Sequence, residues 1–373
     1  MKAIKVKIYP NKKQIELIHK HFGCCRLVYN WGLDRKVKYY NSTKKSLPKY
    51  SLINEIIKLK EEKEFLEEVH SQALQQSIID LDSAFCHFFR HNAKFPRFKS
   101  KNNPKQSYRL PQGFEISRDK KAIKIPKLKW IKFRDKFNVP KDAEFRNITI
   151  TKDGSEYFVA ICYKADEPDK IKPIPKLDKT LGIDLGIKTL ATFSDGTKIE
   201  NPKHLKRYEE KLTKEQRKFS KNETKKQKEK VNRIHKKIRN TRKDFLHKLT
   251  TSIVKNQNYT SYAMEDLAVR NMQENNYSSM SKAIGDAGWR MLRTMMEYKC
   301  EDNGKNLLII GRFEPSSQLC SCGYKNSKLT LADRNWKCSA CNKEHDRDIL
   351  AANNIKQFGF RKYLEVGQTS NIT

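Results

Sequence analysis

The chain has 373 residues, room for two or three domains and a sizeable core. Its formal net charge is +35 with 37% hydrophobic and 10% aromatic residues, so it is a folded protein and no disordered basic tail. Self-repulsion at that charge is relieved by a polyanion, which makes nucleic acid the leading partner. An anionic membrane surface is the competitor, but no basic amphipathic anchor lies beside an apolar span. The opening "MKAIKVKIYPNKKQ" lacks the apolar core of a signal peptide, and no run is long enough to cross a bilayer, so a cytoplasmic location is expected. The nine cysteines then argue for reduced thiols and metal binding rather than a disulfide framework.

Taken in chain order, "AIKVKIYP" alternates Ile4, Val6 and Ile8 with lysines and stops at Pro10, which predicts an edge strand. From Lys12 to about Phe89 the spacing is helical, through Leu17, Phe22, Leu27, Val28, Trp31 and Leu33, then Leu74, Ile78, Leu81, Phe85 and Phe88. "KFPRFKSKNNPKQSYRLP" breaks the helices at Pro96, Pro104 and Pro111 and interleaves basic residues with Phe95, Phe98 and Tyr108. That mixture suits phosphate neutralisation and base stacking, and equally a solvated loop. Short alternating strands follow between Phe114 and Lys164, with Asp153-Gly154 as a hairpin turn. Proline-punctuated polar sequence places a domain boundary near Lys179.

"LGIDLGIKTLATFSDGTKIE" reads as strands turning at Asp195-Gly196. The Lys/Arg-rich run from Leu205 to Val254 reads as a helical hairpin with a basic face. Lys225, Lys226, Lys228, Lys230, Arg233, Lys236 and Lys237 on it are candidates for phosphate contact, although charge runs are commonly just solvated. "YTSYAMEDLAV" is a strand ending in acid, "AIGDAGWRMLRTMMEYKCEDNG" one amphipathic helix, "KNLLIIGRFEP" a strand, and a final helix starts near Asp348. Cys24, Cys25, Cys86, Cys162 and Cys300 read as packing residues, whereas Cys320, Cys322, Cys338 and Cys341 cluster around two knuckles.

Three carboxylates stand out by context. Asp184 lies inside an apolar strand between Gly182 and Gly186, Glu265 closes another, and Asp348 opens the last helix, where the helix dipole favours an anion. Convergence of all three on one pocket would leave anions that repel unless cations bind among them. Hard oxygen ligands select Mg²⁺ or Mn²⁺, and two such ions about 3.5–4 Å apart serve in-line phosphoryl displacement.

These motifs carry a resemblance. "GIDLGIKTLATFSDG", "YAMEDLAV" and "DRDILAANNI", with a four-cysteine ribbon before the last, are similar to the RuvC nuclease core of the transposon-encoded TnpB family, relatives of the type V CRISPR effectors. "KVKIYPNKKQ", "CCRLVYNWGL", "FPRFKSK", "RKDFLHKL" and "PSSQLCSCGYKN" resemble TnpB segments in the same order. The resemblance implies a multidomain α/β protein. A ribonuclease-H-like core spans 179–313 and 346–373 and a zinc ribbon is inserted at 314–345. A β-barrel wedge comes from 1–10 with 105–178, and a helical recognition lobe from 11–104.

The resemblance further implies a catalytic trio of Asp184, Glu265 and Asp348 on Mg²⁺ or Mn²⁺, with zinc on Cys320, Cys322, Cys338 and Cys341. A guide RNA from the transposon end would direct cleavage of double-stranded DNA beside a short motif, in a nucleoid-associated protein. Two positions depart from the family pattern. The first knuckle is Cys-x-Cys where Cys-x-x-Cys is usual, and Leu350 stands where the last motif carries Asn. Both leave open a cleavage-deficient RNA-guided binder or repressor; a strand transferase lacks an identifiable catalytic tyrosine. The ribbon itself reads either as a guide for the DNA strand or as a structural clip. Gln72 and Gln76, four apart on one helical face, are candidates for reading adenine in the flanking motif, or simply a polar face of a bundle helix.

Overall fold

The computed structural model describes residues 1–103, 105–134, 137, 139–165, 170–330 and 332–369; Pro104 lies outside them. The chain forms two compact units, residues 1–167 and 168–373. Among the described residues, no helix is long and apolar enough to cross a membrane.

The first unit opens with β1 (Lys2–Tyr9) and three helices, α1 (Lys12–Thr43), α2 (Lys49–Glu62) and α3 (Ser71–Phe89). Asn11 starts α1 through a capping box: its side chain accepts from the Gln14 amide at 2.9 Å while Gln14 Oε1 accepts from the Asn11 amide at 3.0 Å. Six further strands follow: β2 (Lys105–Leu110), β3 (Glu115–Ser117), β4 (Ala122–Ile125), β5 (Lys129–Phe133), β6 (Glu144–Asp153) and β7 (Glu156–Lys164). They form one antiparallel sheet in the order β2-β6-β7-β1-β5-β4-β3. The edge-strand expectation for "AIKVKIYP" is therefore corrected. Strand β1 pairs with β7 from Lys2 to Ile8 and with β5 at Ile8 and Tyr9, and Pro10 falls just past the last pair, where its missing N–H costs nothing. Val6 and Ile8 share a core with Phe22, Ile78, Val159 and Ile161, so sheet and helices are buried against each other.

The second unit is built on β8 (Thr180–Leu185), β9 (Thr189–Phe193), β10 (Lys198–Glu200), β11 (Ser261–Glu265) and β12 (Asn306–Ile310). Their order is β10-β9-β8-β11-β12, third-second-first-fourth-fifth along the chain, with β8, β11 and β12 parallel and the other pairs antiparallel. The helical hairpin expected from Leu205 to Val254 is present as α4 (His204–Lys221) and α5 (Lys225–Lys255), held by Leu212, Ile234 and Ile238. After α6 (Val269–Glu274), the segment read as one helix is two, α7 (Ser278–Ala287) and α8 (Trp289–Asp302). The break is at Gly288, whose φ of +69° is left-handed, and a Cβ there would stand 3.0 Å from Arg242 Cδ. The chain ends in the hairpin β13 (Asn335–Lys337) and β14 (Glu344–Asp346), then α9 (Arg347–Thr369).

The two faces of this sheet have different partners, and strand alternation sorts the side chains between them. Leu181, Ile183, Tyr262 and Met264 face Leu246, Trp289, Leu292 and Met296 of α5 and α8. Ala263 and Ile310 face Ile355 and Phe358 of α9. Gly182 lies under α9 as well: a Cβ on it would fall 1.9 Å from the Ala352 carbonyl oxygen, so only glycine lets the helix cross there.

Candidate functional site

By alternation, Asp184 shares the face of Gly182, and Glu265 shares that of Ala263. Both acids therefore project to the α9 side. They are also neighbours along the sheet, since β8 and β11 run parallel with Ile183 opposite Met264, and each acid comes one residue later. The carboxyl ends of parallel strands are where α/β sheets place their ligands. The contact of Gly182 with Ala352 then fixes how far along α9 the first turn falls, bringing Asp348 to the same end.

Electrostatics report the same convergence. The Asp184 carboxyl is pushed up to about 7, first by burial and then by the charges of Glu265 and Asp348, against the pull of Arg347 and the Leu185 amide. Burial also raises Glu265, opposed by the Ser316 hydroxyl that donates to its Oε1 at 2.6 Å. Asp348 accepts a long contact, 3.4 Å, from Arg334 Nη1. Glu265 and Asp348 both raise the proton affinity of Asp184, so the three carboxylates lie near one another, and hard oxygen donors of this kind suit divalent cations of the Mg²⁺ class.

The first turn of α9 has its own fixture. Asp346 Oδ1 accepts from the amides of Asp348 and Ile349 at 3.0 and 3.1 Å, capping the helix, and Lys198 Nζ reaches Asp346 Oδ2 at 2.6 Å. Burial works against the charge on Asp346, but Lys198 and those amides hold its carboxyl below the usual range. On the other side Asn354 of α9 donates to the carbonyls of Ser316 and Leu319 at 2.6 and 2.7 Å, anchoring the loop that presents Ser316 to Glu265. Nothing in the sequence around Ser316, Asn354 or Arg334 marks them as part of the site. Only the Asp-x-Asp spacing ahead of an apolar run signalled the cap.

The four cysteines come together. Among the described residues they are the group whose ligand atoms all lie within 4.8 Å of one another; Cys320 to Cys341 and Cys322 to Cys338 are both 3.6 Å between sulfurs. Thiolate–zinc bonds of about 2.3 Å in a tetrahedron set sulfurs about 3.8 Å apart, so the group fits zinc. The missing residue in the first knuckle is absorbed by a tighter turn. The Gly323 amide closes onto the Cys320 carbonyl, whereas in the second knuckle Asn342, one residue further on, closes onto Cys338. Both closing residues are left-handed, at φ +91° and +56°. His345 Nε2 adds a contact of 3.1 Å to Cys320 Sγ, and the His345 ring packs against Trp336 at a tilt of 44°. Leu350 is buried with Cys320, Trp336 and Cys338, so this side chain of α9 faces the ribbon.

Other expectations fare differently. Lys225, Lys226, Lys228, Lys230, Arg233 and Lys237 are exposed on α5, and Lys236 is half-buried. Gln76 is not available to a DNA groove: it is buried, and its amide donates to Asp80 Oδ1 at 3.0 Å, one helical turn on. Gln72 is half-buried and Gln75 exposed. Of the isolated cysteines, Cys24, Cys25 and Cys300 are buried, Cys162 is half-buried, and Cys86 is exposed rather than packed.

Family models described as "Probable transposase", "Cas12f1-like, TNB domain" and "Helix-turn-helix domain" match residues 160–276, 289–355 and 1–45. The third description does not fit the local structure, which is a strand and one long helix. A Streptomyces pristinaespiralis protein named "Putative RNA-guided DNA endonuclease" is 37% identical over 367 residues, 96% of this chain and 89% of that protein. One from Escherichia coli K12, "Putative RNA-guided DNA endonuclease InsQ", is 29% identical over 379 residues, covering 96% and 92%. Among solved structures, the Cas12f1 chain of a complex with sgRNA and target DNA matches with a TM-score of 0.58 at 15% identity, covering 92% of this chain and 83% of that one, a likeness of fold. With the first relative matched along nearly the full length of both chains, and with the strand–acid motifs and ribbon in the family's order, this chain belongs to the TnpB family.

Proposed function

We propose that this protein is an RNA-guided DNA endonuclease of an insertion sequence, cutting at Asp184, Glu265 and Asp348. The observation that carries the reading is the meeting of these acids at one end of β8, β11 and α9, with Asp184 pushed up to about 7 by burial and its two neighbours. The sheet order and polarity support a ribonuclease-H-like core. The acids would hold Mg²⁺ or Mn²⁺, which supply water activation and charge neutralisation at a phosphodiester. The protein's own contribution is to keep the three carboxylates in place: Ser316 orients Glu265, and Asp346 caps the turn that bears Asp348.

The remaining assignments belong to the same reading. Residues 1–10 and 105–178 form the wedge, 11–104 the recognition lobe, 179–313 and 346–373 the nuclease core, and 314–345 the ribbon holding zinc. Strand β1 pairing with β7 and β5, while α1 to α3 fill the intervening sequence, supports the discontinuous wedge. Lys225, Lys226, Lys228, Lys230, Arg233, Lys236 and Lys237 contact phosphates of the guide RNA or its heteroduplex. The guide, transcribed from the transposon end, selects the DNA duplex by base pairing, while the protein reads a short flanking motif in the cytoplasm, at the nucleoid. The binding-only alternative rested on the short knuckle and on Leu350. The first closes by a tighter turn that still brings all four sulfurs together, and the second faces the ribbon, which supports cleavage over binding alone.

The test is to purify the protein with its RNA, exchange the guide segment, and map cuts on plasmids. Cuts that follow the new guide, and stop without RNA or with chelator, are expected. Cutting indifferent to the guide would contradict the proposal.

A further inference from the structure

His345 stands in the middle of β14 and is 7% exposed, an imidazole enclosed by the ribbon that the four-sulfur group does not itself require. Its Nε2 lies 3.1 Å from Cys320 Sγ. It is not a further ligand. Among the described residues, the atoms that all lie within 4.8 Å of one another are the four sulfurs, and His345 sits outside that group, beside one of them. Its ring also packs against Trp336, its partner across the β13–β14 pair, with centroids 4.8 Å apart.

Four thiolates bring more negative charge to one place than a single Zn²⁺ neutralises, and hydrogen bonds from outside the ligand set offset the excess. Cys322 and Cys341 are exposed, so water can supply such bonds to them. Cys320 is 2% exposed and depends on the protein. The nearer side-chain donor is His345, since Ser321 Oγ is 4.0 Å from the same sulfur. A metal-bound thiolate has no hydrogen to give, so in that state Nε2 carries the hydrogen and donates it. Strand alternation turns Asp346, the next residue, to the opposite face, where its Oδ1 accepts from the Asp348 and Ile349 amides. One short strand thus carries both a contact to the ribbon sulfurs and the cap of α9.

We propose that His345 is the outer donor of the zinc ribbon: its Nε2–H holds the Cys320 sulfur, which slows loss of the metal and keeps β14 in place under the Asp346 cap. It is a positioning residue that acts through Cys320. This rests on the reading of the ribbon as a zinc site and deepens it by naming a residue outside the ligand set that governs how firmly the ion is held.

The experiment uses the full chain as wild type, His345→Phe and His345→Gln, each produced once with zinc and once in cobalt-supplemented medium. Phenylalanine keeps a ring against Trp336 and has no donor; glutamine gives up the ring and can place an amide N–H where Nε2 stood. In the cobalt forms, the sulfur-to-metal charge-transfer band of His345→Phe should move to lower energy, because a sulfur without its hydrogen bond holds its lone pairs less tightly. His345→Gln should return the band toward wild type. In the zinc forms, release to pyridylazoresorcinol should be about tenfold faster in His345→Phe and close to wild type in His345→Gln. Deuterium exchange of the Asp348 and Ile349 amides should rise in His345→Phe and not in His345→Gln. A His345→Phe protein with the wild-type band and release rate overturns the donor role, and so does a His345→Gln protein that behaves like His345→Phe. Unchanged exchange in a His345→Phe protein that sheds zinc faster overturns the tie to α9. Wild type purified without zinc removes the ribbon reading and the role of His345 with it, whereas a zinc-bearing wild type matched by His345→Phe removes the role of His345 alone.

Discussion

Asp346 and Asp348 are two residues apart and have different surroundings. Asp348 lies close enough to Asp184 for its charge to raise that carboxyl, while both oxygens of Asp346 are engaged, by the α9 amides and by Lys198. Asparagine caps helices as well as aspartate does, and alanine in that place costs about 0.5–2 kcal/mol. We therefore expect Asp346→Asn to keep most of the cutting activity and Asp346→Ala to lose roughly tenfold. Rates across a Mg²⁺ series check this: a metal ligand would fail in both variants. At this scale the sequence was informative where a residue's own context is odd, as with an acid inside "LGIDLG". It was silent where significance depends on the partner. Ser316 matters only because Glu265 is 2.6 Å away, and Gln76 is turned inward by Asp80, four residues on, which accepts from its amide.

The elements that make the site are a strand that must be bare at Gly182, a helix laid across it, and a ribbon packed on that helix's first turn. Leu350 joins the last two, lying with Cys320, Trp336 and Cys338. Purified protein should carry about one zinc per chain. Cys338→Ser should lose it, disturb the turn bearing Asp348, and slow cutting with every acid intact; unchanged zinc content and rate would remove the ribbon from the account. Leu350→Asn, which restores the family's usual residue, buries an amide among apolar side chains at a cost of about 1–3 kcal/mol. We expect a lower Tm and no gain in rate, measured by thermal melting and cleavage; faster cutting would mean that this position serves the acids directly. Hydrophobic period located most of these elements in the sequence. It did not locate the break at Gly288, because apolar spacing runs on through it, although the left-handed turn there packs against Arg242 and Leu246 of α5. Nor did it reveal that β1 is paired on both sides, since partners more than 120 residues away leave no local trace.

For the molecule as a whole, the +35 charge is the broadest statement the sequence makes, and the exposed lysines of α5 put part of it on one helix. If that face meets phosphate, reversing Lys225, Lys226, Lys228 and Lys230 should reduce the salt slope of RNA binding by about one unit per lost contact. An unchanged slope would make α5 a solvated face. Charge favours a polyanion as partner and says nothing of chemistry on it; the chemistry proposed here rests on three acids at the ends of β8 and β11 and the start of α9, far apart in sequence.

On this proposal those acids cut while the rest of the protein binds. The most direct measurement is cleavage and DNA binding of Asp184→Ala and wild type, each loaded with the same RNA and assayed on one preparation. The variant should bind its target as wild type does and leave it uncut; a variant that cuts at a comparable rate would overturn the role of Asp184.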